Sequence, residues 1–185
     1  MTVVHLIGYP GSGKGVVADA LQQSAGFVPY SVGELMRNEI RLDTDLGKQL
    51  KFIDSGKIAP PHLAMEVLKK NVTNSDKITL DGFPRNILQA EAYLNQIGKP
   101  DLTILVNVSE KVAIQRLMNR AKNSSRKDDN EEVFQNRITA YKNETYPCVD
   151  YLRQKGCNVT EINGEISIEE MQQEAISKIL NLINK

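Results

Sequence analysis

Five short apolar runs punctuate the chain, at residues 3–7, 27–31, 77–80, 102–108 and 158–162, and longer stretches with helical spacing separate them. Strand-length runs alternating with helices predict an α/β domain, with a mainly parallel sheet covered on both faces. Ligands of such sheets lie at the carboxyl ends of the strands. Residues 32–41 and 44–54 read as helices ended by Gly56, and Pro60-Pro61 reads against an immediate new one, so 31–60 is expected as a small helical insert hanging from a strand end. Ser31 is expected to cap that insert, with Glu34 at the capping-box position. A helix from 110 to about 121 should bury Ala113, Ile114, Leu117 and Met118. A long helix should start at Asp129, with Glu132 as its capping partner, and carry Arg137, Tyr141 and Tyr151. The tail helix should face the core with Ile168, Met171, Ala175, Ile179 and Ile183.

The most informative stretch lies between the first strand and the first helix: Gly8-Tyr9-Pro10-Gly11-Ser12-Gly13-Lys14-Gly15. Its spacing matches the G-x-x-x-x-G-K pattern, in which backbone N–H groups converge on phosphate, a helix N-terminus adds positive potential, and the Lys is a mobile charge. A plain turn needs one or two glycines, whereas this one has four and a Lys at the mouth of the helix. The Ser or Thr that ordinarily follows the Lys is replaced by Gly15, and Val16 comes next.

Composition narrows the field. The chain has 185 residues, enough for one α/β domain and too few for two. Its 23 basic and 23 acidic side chains cancel, so any anion site is local, and neither nucleic acid nor a membrane is expected as a partner. With no long apolar run and no basic leader, a soluble cytoplasmic protein is expected. Cys148 and Cys157 form no metal motif and read as packing residues, and His5 and His62 have no ligand cluster around them.

The remaining candidates are strand ends and arginines. Asp81, in Leu80-Asp81-Gly82-Phe83-Pro84-Arg85-Asn86, ends a strand beside the glycine loop, where an acid either holds Mg²⁺ through its water shell or caps a turn. Gln89, one turn into the next helix, either reads a base edge or faces solvent. Arginines 37, 85, 116, 120, 126 and 137 crowd into a few stretches, and two helices bracketing a short polar loop should bring 120, 126 and 137 together. Clustered guanidinium groups repel unless an anion compensates them. The loop at Gly164, after the last strand, is placed to meet a nucleotide base.

With the glycine loop, Gly33-Glu34-Leu35-Met36-Arg37, Asp81-Gly82-Phe83-Pro84-Arg85, Arg126-Lys127-Asp128-Asp129 and Arg137 in this order, the chain resembles the adenylate kinase and UMP/CMP kinase family over nearly its whole length. The resemblance implies a three-layer P-loop fold with a five-stranded parallel core, a monophosphate-binding insert at 31–60 and a small lid at 119–130. Without a cysteine quartet it resembles the short-lid form. It implies transfer of a phosphoryl group from ATP to AMP, with Mg²⁺, in a monomer. By the same resemblance Gly11, Ser12, Gly13, Lys14, Gly15 and Val16 wrap the ATP phosphates, and Arg116 and the backbone near Ile166 cover its base. Arg37 and Arg85 clamp the monophosphate, Val32, Lys57, Ile58, Ala59, Gly82, Phe83, Pro84 and Gln89 line its pocket, and Arg120, Arg126 and Arg137 close over the moving phosphoryl. Gln89 favours AMP, whereas Asn86 is reminiscent of UMP/CMP kinases. A nucleotide-binding regulator, catalytically weak because Val16 lacks a hydroxyl, is the competing class.

Overall fold

A computed structural model describes residues 1–72, 75–122 and 130–183. The sheet consists of β1 (Thr2–Gly8), β2 (Val28–Ser31), β3 (Lys77–Asp81), β4 (Leu102–Asn107) and β5 (Val159–Asn163), within a residue or two of the predicted runs. Its order is β2-β3-β1-β4-β5, and every pair is parallel. The chain leaves β1 to build one side of the sheet, then returns past it to build the other. That reversal opens a crevice at the strand ends, where Ser31 pairs with Asp81, Leu6 with Asp81, and Gly8 with Val106.

One face of the sheet is covered by α1 (Lys14–Ala25) and α9 (Ile168–Ile183), whose Val17, Leu21, Met171, Ala175 and Ile179 pack on Leu6, Ile104 and Ile162. The other face is covered by α4 (Pro61–Asn71), α5 (Ile87–Gln96) and α8 (Tyr146–Gln154). His5, on β1, is fully buried between Tyr93 and Phe83, with ring centroids 4.5 and 5.7 Å away. Burial alone pushes its pKa down to about 3, so it is a neutral core residue. Both cysteines are buried and unpaired. No described helix is long and apolar enough to cross a membrane.

Several local expectations change. Pro61 does not delay a helix but is the first residue of α4, because its missing N–H is one of the donors a first turn leaves unpaired. The predicted 44–54 helix is α3 (Asp45–Leu50) followed by a 3-10 turn, Lys51–Ser55, which Gly56 closes at φ 86. Ser31 stands at the N-cap of α2 (Val32–Arg41) but makes no side-chain cap, while Glu34 turns to Arg37 and Arg41. In α6 (Glu110–Lys122), Ala113 and Leu117 are buried, but Met118 is 52% exposed because α7 (Glu131–Ala140) covers only the stripe beside it. Asn130, not Asp129, caps α7, its side chain accepting from the Val133 N–H at 3.1 Å. Ile168 is 55% exposed at the start of α9.

The expected single long helix from 129 onward is broken. Between α7 and α8, residues Tyr141–Thr145 form a π turn. Pro147 is the second residue of α8, and a proline ring in a regular helix collides with the carbonyl four residues back, here that of Asn143. The helix widens there.

The segment between β2 and α4 is fastened by a buried acid that the sequence did not flag. Glu39 accepts from Lys70 Nζ at 2.8 Å, Thr44 Oγ1 at 2.6 Å and Asn71 Nδ2 at 3.2 Å, so one carboxylate ties α2 and the start of α3 to α4. The Lys70 bond, then the Thr44 bond, hold its pKa below the ordinary carboxylate range. Directly over it, a Cβ on Gly47 would lie 2.0 Å from the Glu39 carbonyl oxygen. Gly47→Ala is therefore expected to cost about 3 kcal/mol, read as a lower urea midpoint at unchanged slope. A wild-type midpoint would show that α2 and α3 part easily.

Candidate active site

The glycine loop leaves β1 at the crevice. A Cβ on Gly8 would lie 2.5 Å from the Val106 carbonyl oxygen, and one on Gly13, at φ 101, would press on Met171 Cε at 3.0 Å. These two positions therefore require glycine. Gly15 differs, since a Cβ there would touch nothing within 4 Å. What it leaves open is the cleft itself. The Lys14 ammonium folds back over the loop and donates to the carbonyls of Gly8 (3.0 Å) and Tyr9 (2.8 Å) and to Ser12 Oγ (3.4 Å), which uses all three of its protons. Desolvation lowers its pKa to about 8, Asp81 opposes that shift, and Arg85 and Arg120 add to it.

Facing the loop is an arginine wall. Arg37, on α2, is held by Glu34 Oε2 at 2.8 Å, while Arg85 Nε donates to the Gly82 carbonyl at 2.8 Å. Both guanidinium groups meet over Gly33, where a Cβ would sit 3.1 Å from Arg85 and 3.6 Å from Arg37. Arg120, at the end of α6, and Arg137, near the end of α7, complete the enclosure.

Together these groups line a cleft of about 290 Å³, with Gly11, Gly15, Ile58, Gly82 and Pro84 also in its walls. Among its described lining residues five cations, Lys14, Arg37, Arg85, Arg120 and Arg137, face one carboxylate, Asp81. The Oδ1 of Asp81 is buried without a hydrogen-bond partner, an arrangement that favours a cation or its water shell over a closed turn cap. No cluster of three or more metal-ligating side chains occurs among the described residues. A narrower pocket lined by Val32, Met36, Lys57, Ala59, Phe83 and Gln89 adjoins the cleft and shares Gly33, Arg37, Gly56, Gly82, Arg85 and Arg137 with it.

Not every expected residue lies on these walls. Val16 and Ile166 pack partly buried against the α1–α9 core, and Arg116 donates from Nη1 to the Ser12 carbonyl at 3.3 Å, behind the loop. Gly164 abuts the same carbonyl, since a Cβ there would lie 2.8 Å from Ser12 O. Arg126 lies outside the described residues, as does most of 119–130. Gln89 is buried, its Oε1 accepting from the Arg85 N–H (2.8 Å) and its Nε2 donating to the Ala59 carbonyl (2.7 Å). An amide has a second acceptor and a second donor site, so these bonds leave half its capacity for a ligand. Ser31, Gly33, Gly56, Tyr141 and Thr145 also line the cleft and were not expected as site residues. Gly33 sat inside a quoted motif, but nothing in the sequence signals a π turn or its side chains.

A glycine loop between a parallel strand and a helix, opposed across one cleft by an arginine wall, is the arrangement of a P-loop phosphotransferase. The family model described as "Adenylate kinase" matches residues 6–157. An adenylate kinase of Azobacteroides pseudotrichonymphae is 37% identical over 98% of this chain and 99% of the relative. One from Porphyromonas gingivalis is 37% identical over 92% of each, and human adenylate kinase isoenzyme 1 is 31% identical over 90% of this chain and 88% of its own length. The chain belongs to the adenylate kinase family of nucleoside monophosphate kinases.

The lowered Lys14 pKa has a defined sign. Below pH 8 the free protein presents an ammonium; above it the charge is lost, so ATP affinity should fall as the pH rises past about 8. Calorimetric titration of ATP from pH 6.5 to 10 measures this. An affinity unchanged across that range would mean Lys14 stays charged throughout.

Proposed function

We propose that the protein transfers the terminal phosphoryl group of ATP reversibly to AMP, giving two ADP, and that the cleft between the glycine loop and the arginine wall is where the transfer occurs. The observation that carries this is the pair of adjoining pockets with Arg37 and Arg85 on their common boundary. ATP phosphates take the loop Gly11–Gly15 with Lys14, and the adenine lies outward towards Arg116 and the loop of Gly164 and Ile166. AMP takes the narrower pocket, its phosphate on Arg37 and Arg85 and its base among Val32, Lys57, Ile58, Ala59, Phe83, Pro84 and Gln89. Arg120, Arg126 and Arg137 then neutralise the phosphoryl group in flight. Residues 31–60 serve as the acceptor-binding insert and 119–130 as a short lid.

Little covalent chemistry is asked of the side chains. The entering acceptor phosphate and the ATP terminus are both anionic, and their approach is opposed by repulsion that the five cations offset. Alignment in line and exclusion of water supply the rest. Asp81 would hold Mg²⁺ through its water shell, and the ion would supply further charge neutralisation on the polyphosphate; the unpartnered Oδ1 supports this role. We take the enzyme to be a cytoplasmic monomer acting on free nucleotides; the balanced charge of the chain supports small local ligands over nucleic acid or a membrane surface.

A coupled assay of ADP formation across AMP, CMP and UMP tests the activity and its acceptor. AMP should be the most efficient acceptor, because the spare donor and acceptor of Gln89 match an adenine edge; higher efficiency with CMP or UMP would overturn that assignment. Lys14→Met should lower kcat about 100- to 1000-fold while the protein still folds, since the charge serves the transition state rather than the core. Near-normal turnover by that variant would place the transfer elsewhere.

A further inference from the structure

The π turn is the least expected part of the fold, and its side chains reach the glycine loop, the start of α6 and the loop after β3. Tyr141 packs against Tyr9 of the glycine loop, ring centroids 3.9 Å apart. Lys142 pairs with Glu110 at the start of α6, the helix that carries Arg120, at 2.9 Å. Glu144 accepts from Asn86 Nδ2 at 3.4 Å. Thr145 Oγ1 donates to the Arg85 carbonyl at 2.7 Å.

The last contact is the most consequential. Thr145 is only 7% exposed and lines the cleft, so its hydroxyl has little water to exchange with. The main chain of Arg85 is gripped on both sides, its N–H by Gln89 at 2.8 Å and its C=O by Thr145 at 2.7 Å. The side chain leans over Gly82. With the backbone so fixed, the guanidinium has few ways to depart from its place beside Arg37.

We propose that Thr145 is a positioning residue for the acceptor phosphate clamp: it acts through the Arg85 main chain and ties that clamp to the π turn that also touches the glycine loop. The proposal rests on the acceptor role given to Arg85 above. Without the hydroxyl the part-buried Arg85 carbonyl loses this 2.7 Å donor, and the strand-to-helix loop is freer to shift. A displacement of well under 1 Å suffices to misalign a phosphate clamp. The donor side should feel this little, because Thr145 bonds to Arg85 rather than to the glycine loop, and the Tyr9–Tyr141 stack is unchanged.

The test is steady-state kinetics of Thr145→Val and Thr145→Ser, with AMP binding measured separately by calorimetry. Thr145→Val should lower kcat/KM for AMP about tenfold and weaken AMP binding similarly, with KM for ATP within about twofold of wild type. Thr145→Ser, which keeps the hydroxyl, should stay within about twofold on all three measures. Wild-type AMP kinetics in Thr145→Val, or equal losses for ATP and AMP, would overturn the proposal, because a purely structural bond moves stability or both substrates alike. Should Thr145→Val not fold, Thr145→Ser and Thr145→Ala carry the same comparison, Ala failing and Ser recovering on the AMP side only. A wild-type protein that phosphorylates none of the monophosphates would instead sink the proposed function.

Discussion

Like-charge repulsion in one small cleft is the constraint around which this molecule is arranged. Lys14, Arg37, Arg85, Arg120 and Arg137 line about 290 Å³, and each must be held there without its phosphate partners. The chain manages this with local acceptors. Lys14 rests on two loop carbonyls, Arg37 on Glu34, and Arg85 on the Gly82 carbonyl. Anionic ligands then relieve a strain already present, so binding and charge neutralisation are one event.

The backbone does much of the aiming. Gly33 and Gly82 let Arg85 lie flat across the chain, and Gln89 and Thr145 grip its peptide groups from opposite sides. Helix termini and strand ends, rather than rotamers alone, therefore set where the guanidinium groups meet. The same economy holds at Glu39, where one buried carboxylate fixes the angle between the helices of the 31–60 segment and α4. This pin works together with the apolar contacts of Val32, Met36, Leu46 and Leu50 to hold α2, which carries Arg37.

The segment and α7 also touch directly. Asn136 Nδ2 donates to the Ser55 carbonyl at 3.0 Å, and a Cβ on Gly56 would sit 3.1 Å from the Val133 carbonyl. Elements from the two sides of the cleft thus meet above it, which narrows the inner pocket and limits the water that can enter.

Alternation of apolar runs, the glycine loop and the order of arginine-bearing motifs were enough to place five strands, the loop at the β1–α1 junction and the family, because each depends on local spacing along the chain. Asp81 and Arg85 were legible for the same reason, at the end of one strand and in the loop after it. Other features depend on residues far apart in sequence. Only tertiary structure shows that Gln89 spends half its amide on Arg85 and Ala59, that Glu39 is a buried junction, and that Pro147 widens a helix so that Thr145 meets Arg85. Pattern reports which face of an element is apolar; it carries no record of which distant backbone group a buried polar atom will find.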